Sequence, residues 1–188
     1  AGPSAGPFVW TAATGQVPIT GYSVHGVSDD GQVVAGAIPL SFYAQPAIWT
    51  PSGGWVDLGT LPWMSQSGAG EAYAVSADGT HVVGQVHDGG SGYVPFVWTP
   101  TSGLEALPRS AGGTSGLGYA ADVSADGEWI VGVVGGEVVV WDLQRVAQPI
   151  LSVTPGQGPP AAPRTISSEG DRVTASGVGV GGVIWDRA

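Results

Sequence analysis

Val75-Ser76-Ala77-Asp78-Gly79 decides how this chain is read, because it recurs. The same chemistry stands at Val27-Ser28-Asp29-Asp30-Gly31 and Val123-Ser124-Ala125-Asp126-Gly127, with a degraded copy at Ile166-Ser167-Ser168-Glu169-Gly170. A short apolar run follows each copy, and further on come two apolar residues and a tryptophan. A period of roughly 45 residues with four short strands per period is the mark of a propeller blade.

Aligned on the turn, each unit resolves into strands A to D. Strand A ends at the serine, as in Ala72-Tyr73-Ala74-Val75-Ser76. The pairs Asp30-Gly31, Asp78-Gly79 and Asp126-Gly127 reverse the chain, since glycine takes positive φ without a Cβ penalty. Strand B is β-branched: Val33-Val34-Ala35-Gly36, Val82-Val83-Gly84 and Ile130-Val131-Gly132. Strand C ends at Trp10, Trp49, Trp98, Trp141 or Trp185, and strand D is short and edge-like, as in Trp55-Val56-Asp57-Leu58 and Leu104-Glu105-Ala106-Leu107. No window sustains apolar residues at i, i+3, i+4 and i+7, so no helix is expected.

The expected fold is therefore all-β, a β-propeller of four-stranded antiparallel blades filling residues 1–188 as a single domain. The units fall at about 1–20 (partial), 21–70, 71–117, 118–162 and 163–188 (partial). Five strands end in tryptophan but only four A–B hairpins are present. The count favours four blades, with the termini closing the ring: Gln16 to Thr20 would supply strand D of the last blade, leaving Phe8 to Thr11 spare. Five blades is the alternative, and would need a hairpin the sequence lacks. A spare strand suits pairing with a neighbour's sheet edge, so residues 7–20 are a candidate self-association segment, or polymer contact. The equal alternative is a chain whose ends fall inside a repeat.

Two resemblances rest on these residues. Val123 through Leu143, with its Ser-x-Asp-Gly turn and Trp141-Asp142 strand end, is similar to a WD40-type blade. More closely, Ala74-Val75-Ser76-Ala77-Asp78-Gly79, Val82-Val83-Gly84, Pro95-Phe96-Val97-Trp98-Thr99-Pro100, Gly103-Leu104 and Leu107-Pro108 in order resemble the bacterial extracellular repeats called the HAF family. The resemblance covers nearly the whole chain and carries no catalytic residue. It implies an exported or surface β-repeat protein.

Composition narrows the partners. The chain holds 33 Gly and 15 Pro, which read as turn chemistry because 43% hydrophobic content argues against disorder. Net charge is −10 and no lysine is present. Phosphate backbones and anionic lipid surfaces would be repelled, which excludes nucleic acid and disfavours membrane surfaces. Without cysteine there is no thiol catalysis and no cysteine-based zinc site. No apolar run is long enough for a transmembrane helix. The start at Ala1-Gly2-Pro3 suits a processed product or a piece of a longer protein.

The conspicuous repeat residues read as structure. Ser28, Ser76, Ser124 and Ser167, with Asp30, Asp78, Asp126 and Glu169, answer a need repeated once per blade, namely turn hydrogen bonding. The strand-end tryptophans read as core, each burying on the order of 200 Å². No metal site is assigned: the acidic turns Asp29-Asp30 and Glu169 to Asp171 lack the spaced ligand loop calcium needs, and calcium is the one cofactor weighed. His81 aligns with Val33, Trp129 and Arg172, a position that takes any residue type and is expected at the surface. His25 falls on strand A, which lines the channel, where a cluster with Asp122 is the functional alternative to a structural role. Gly112-Gly113-Thr114-Ser115-Gly116 lacks the lysine and helix of a phosphate loop.

Function is expected where the repeat fails. The B–C and D–A loops share one face and carry aromatic residues and an arginine: Phe42, Tyr43, His87, Tyr93 and Trp63, with Arg109. These are the candidate binding residues, Trp63 foremost, because an exposed aromatic suits sugar stacking or protein contact. No catalytic residue is assigned. The leading expectation is a non-enzymatic, exported surface or matrix interaction module, located extracellularly or on a bacterial cell surface, with protein or glycan partners. A lectin-like polysaccharide binder is the alternative, and a hydrolase or lyase acting at the channel mouth is third.

Overall fold

The computed structural model describes residues 6–41, 43–64, 69–90, 92–108, 118–135, 137–142, 144, 147–149, 162–177 and 180–186, and every regular element in them is a β-strand. A leading hairpin joins β1 (Phe8–Thr11) to β2 (Gly15–Pro18). The first blade is β3 (Ser23–Val27), β4 (Val34–Leu40), β5 (Tyr43–Thr50) and β6 (Gly54–Asp57). The second is β7 (Gly70–Val75), β8 (Val82–His87), β9 (Tyr93–Thr99) and β10 (Gly103–Ala106). The third is β11 (Gly118–Val123), β12 (Ile130–Val134), β13 (Glu137–Trp141) and β14 (Ala147–Pro149). A three-stranded sheet follows, β15 (Ala162–Ile166), β16 (Arg172–Gly177) and β17 (Val180–Asp186). All pairings are antiparallel and join strands adjacent in sequence.

The recurring turn is held by its serine. Ser76 Oγ donates to Asp78 Oδ1 at 2.6 Å and accepts the His81 amide at 3.0 Å. Asp78 Oδ1 also accepts the Thr80 amide, and the Gly79 amide closes on the Ser76 carbonyl. Ser28 and Ser124 repeat this set with Asp30 and Asp126, and all three serines are buried. The fourth copy differs from the expectation for Glu169: Ser167 Oγ donates instead to Asp171 Oδ1, two residues further on, at 2.6 Å. A carboxylate is still found, from the other side of the turn.

These bonds hold the Asp78 carboxyl below its usual value of 3.8, Ser76 contributing most. The folded state thus binds fewer protons than the unfolded chain just below that value. The stabilisation is fully present above pH 3.8 and is lost as pH falls through the lower folded value. In urea titrations at pH 5 and pH 3, Asp78→Asn is expected to lose less stability over this interval than wild type. The difference should not exceed about 1 kcal/mol, since the group is largely solvated.

A β-bulge recurs in every strand A, at His25, Tyr73, Ala121 and Arg164, where the register with strand B slips by one residue. Opposite three of the bulges stands a strand B glycine. A Cβ on Gly36, Gly84 or Gly132 would collide with the carbonyl oxygen of Ser23, Glu71 or Tyr119. The glycines that sequence places at the end of a β-branched run are there to let the bulged backbone lean in.

Three apolar clusters hold the described blades together, one per junction. Ile48, Leu58 and Leu61 meet Ala72, Val82 and Phe96; Val83, Val97 and Leu107 meet Ala120, Val139 and Trp141; Val131, Val138 and Val140 meet Ile166 and Val173. The tryptophans do not share one fate. Trp141 is completely buried, and Trp49 and Trp98 are half-buried, but Trp10 is 65% exposed. Among the described residues nothing pairs with the outer edge of β1, so Trp10 has no sheet there to pack on. The side chain of Trp185 lies outside the described residues.

Two expectations are corrected. Gln16 to Thr20 does not complete the last blade: β2 pairs with β1, from Phe8↔Pro18 to Thr11↔Gly15, and among the described residues the last sheet has three strands. A turn of three residues, held by the Thr14 amide on Thr11 Oγ1 and by Gly15 at φ 67°, closes at far smaller entropic cost than pairing with the distant end. The hairpin is the C–D half of a blade, since the Ile19 amide donates to the Pro7 carbonyl as Leu58 does to Pro46 and Leu107 to Pro95. Nor is the His81 position a free surface site. Val33, His81 and Trp129 lie over Gly79, Gly127 and Gly170 of the following blade, so the residue type varies while the contact persists.

Candidate functional site

Between the first and second blades, on the loop-rich face, the ends of four strands leave a cleft of about 320 Å³. Tyr22 precedes β3, Tyr43 opens β5, Tyr73 is the bulge of β7, and Tyr93 opens β9; Glu71 and Gln85 add polar groups. Tyr43 follows a tight turn in which Ser41 takes φ 49°, an unusual conformation for a residue with a Cβ. Tyr22 and Tyr43 are largely exposed at the rim, whereas Tyr73 and Tyr93 are half-buried.

The bulges shape this wall. By inserting a residue, the Tyr73 bulge turns its ring toward the neighbouring strands A. His25 meets Tyr73 edge-on at 5.3 Å, and Tyr73 meets Tyr119 edge-on at 6.3 Å, giving a row of three rings across successive blades. His25 Nε2 lies 3.1 Å from Glu71 Oε2. Burial, then the Glu71 charge, pushes the Tyr73 hydroxyl up to about 12. It is a hydrogen-bonding phenol, never a phenolate, at ordinary pH. Burial also raises Tyr119, against the opposing charge of Arg164.

His87 contributes by positioning. Its ring meets Tyr93 edge-on at 5.4 Å, and its Nδ1 accepts the Gly89 amide at 3.1 Å. The Nδ1 lone pair is thereby used, so the neutral ring carries its proton on Nε2. Its own amide donates to the Ala69 carbonyl at 2.7 Å, tying the B–C loop to the segment entering β7.

Of the residues singled out from sequence, Tyr43 and Tyr93 line the cleft and His87 braces it. Trp63 stands outside the cleft lining, 64% exposed, while its neighbour Met64 reaches Gly89 of the second blade. Phe42, Arg109 and the Gly112 to Gly116 stretch lie outside the described residues. The His25–Asp122 cluster does not form. Asp122 is half-buried between the third and last sheets, where Oδ1 accepts the Val123 amide and Oδ2 the Ile166 amide, both at 2.9 Å. Burial raises its carboxyl despite those bonds. It is a latch between sheets, and His25 takes Glu71 instead. Tyr22, Tyr73, Glu71 and Gln85 were missed because they come from separate segments, and only the fold brings them together.

Among the described residues no three His, Asp or Glu side chains gather where they could hold a metal ion, and no helix is long and apolar enough to cross a membrane. No family model matches the chain, and no curated protein matches it. Solved structures do. TolB from Acinetobacter baumannii superposes with a TM-score of 0.59 at 18% identity, covering 94% of this chain and 44% of that one. Putative TolB from Agrobacterium tumefaciens gives 0.53 at 16% identity, covering 90% and 58%. The chain thus spans about half the length of these proteins. What it shares with them is the fold: antiparallel blades in the WD40-like β-propeller arrangement.

Proposed function

We propose that this chain is a non-enzymatic, exported interaction module that binds its partner in the tyrosine cleft between the first and second blades. The observation that carries the reading is the convergence of Tyr22, Tyr43, Tyr73 and Tyr93 on one open cleft. Tyrosine offers a flat apolar face and a hydroxyl on a side chain with little entropy to lose, which suits recognition without chemistry. Glu71, the carboxylate in the cleft, is engaged by His25, which supports binding rather than catalysis. The HAF-like order of motifs from Ala74 to Pro108 supports an extracellular or bacterial surface setting. Its partner is a surface or matrix protein, with no cofactor required.

A second reading, a glycan ligand, is favoured by Glu71 and Gln85 beside the aromatic faces. Planar acceptors and donors next to aromatic faces match the alternating hydroxyls and C–H faces of a sugar. Screening the chain against surface-protein fractions and a glycan array separates the two. In either case Tyr93→Ala and Tyr43→Ala should each weaken binding at least tenfold (roughly 1.4 kcal/mol), while Trp63→Ala should leave it within twofold. Binding lost in Trp63→Ala and retained in both tyrosine variants would move the site out of the cleft.

A further inference from the structure

Every internal junction carries the same two-part contact on the turn side of the blades. The amide of the second turn residue donates to the carbonyl of its counterpart on the next blade: Asp29 to Ala77, Ala77 to Ala125 and Ala125 to Ser168, each at 3.0 Å. Beside this bond Val33, His81 or Trp129 covers the turn glycine of the next blade. The contact has a direction, so the two ends of the run are unlike and complementary.

At the first blade, Gly31 has no atom within 4 Å of where a Cβ would stand, and among the described residues no hydrogen bond reaches the Asp29 carbonyl. Val27 there is 56% exposed, whereas its counterparts Val123 and Ile166 are buried and Val75 is half-buried. At the last sheet, the Ser168 amide has no acceptor among the described residues. Arg172 occupies the covering position held elsewhere by Val33, His81 and Trp129, and its exposed side chain lies 3.0 Å from Asp186.

We propose that these faces are two halves of one interface, so that the last sheet of a second copy docks on the first blade by the contact already made three times within the chain. Ser168 would donate to Asp29, and Arg172 would cover Gly31 between the Asp29 and Asp30 carboxylates. Charge complementarity sits where the internal junctions place a neutral contact. Such head-to-tail contact either closes a ring or grows a filament.

The β1–β2 hairpin opposes it. As the C–D half of a blade, β1 claims the place that β17 of the incoming copy would bring. Removing residues 1–20 therefore frees the face, the opposite of what strand addition through residues 7–20 requires.

Sedimentation velocity across a concentration series tests this. The chain lacking residues 1–20 is expected to associate at a concentration at least tenfold lower than the full chain. Asp29→Lys and Arg172→Glu in that background should each weaken association at least tenfold, and an equimolar mixture of the two variants should restore it, because both junctions between unlike copies again pair opposite charges. Both substitutions are at exposed side chains, and a thermal melt of each variant checks that the fold is kept. Monomers at every concentration without residues 1–20, association lost on their removal, or association indifferent to both reversals would each overturn the proposal.

Discussion

Trp141→Ala is expected to lower the stability of the chain by about 3–5 kcal/mol, whereas Trp10→Ala, at the same place in the repeat, should change it by less than about 1 kcal/mol. The two residues end equivalent strands, and what separates them is what lies across from each. Trp141 is completely buried, packs with Val97 and Leu107 of the second blade, and donates from Nε1 to the Pro108 carbonyl at 2.9 Å. Truncation would leave a cavity at the junction and an unpaired carbonyl together. Trp10 is 65% exposed beside a strand edge that no described strand pairs with, so little is lost with it. Urea midpoints of the two variants check the contrast. Equal losses would mean that Trp10 is covered in solution, as docking against its hairpin would make it.

The contrast shows what repetition conveys. The Ser-x-Asp-Gly turns, the strand order and the C–D hairpins were legible because each arises from residues a few positions apart, and local chemistry decides them. Contacts between units were not legible in the same way. The position of Val33, His81 and Trp129 varies freely, and variation reads as exposure; the constant partner is a glycine one blade later. The bulges were hidden for a related reason. His25, Tyr73, Ala121 and Arg164 share no chemistry, and the feature common to the first three is the strand B glycine opposite, where the fourth has Ala175. Closure of the ring was expected from strand arithmetic alone, and a short hairpin with its own turn defeats a pairing across the chain. At the cleft, Tyr43 and Tyr93 were legible as loop aromatics. Tyr22 and Tyr73 join them only through the fold.

Gly84→Ala is the other large effect, and it joins fold to site. A Cβ there would collide with the Glu71 carbonyl oxygen and stand 2.9 Å from the Ala72 Cα. Both obstacles are backbone, so no rotamer change relieves them, and the bulge itself must give way. Overpacking costs typically 1–3 kcal/mol where side chains can adjust, and the expected loss here is about 3 kcal/mol or more. Gly103→Ala is the control: φ is 71° but nothing lies within 4 Å, so only the left-handed strain of about 1–2 kcal/mol applies. The bulge that Gly84 accommodates carries Tyr73 and follows Glu71, both lining the cleft. Residual folded Gly84→Ala protein should therefore bind its ligand more weakly, while Gly103→Ala should bind as wild type does. Circular dichroism melts with binding measured at a temperature where each variant is folded test both halves. If Gly84→Ala melts with Gly103→Ala, or binds unchanged, the glycine does not set the bulge, and the cleft owes its shape to something other than the repeat.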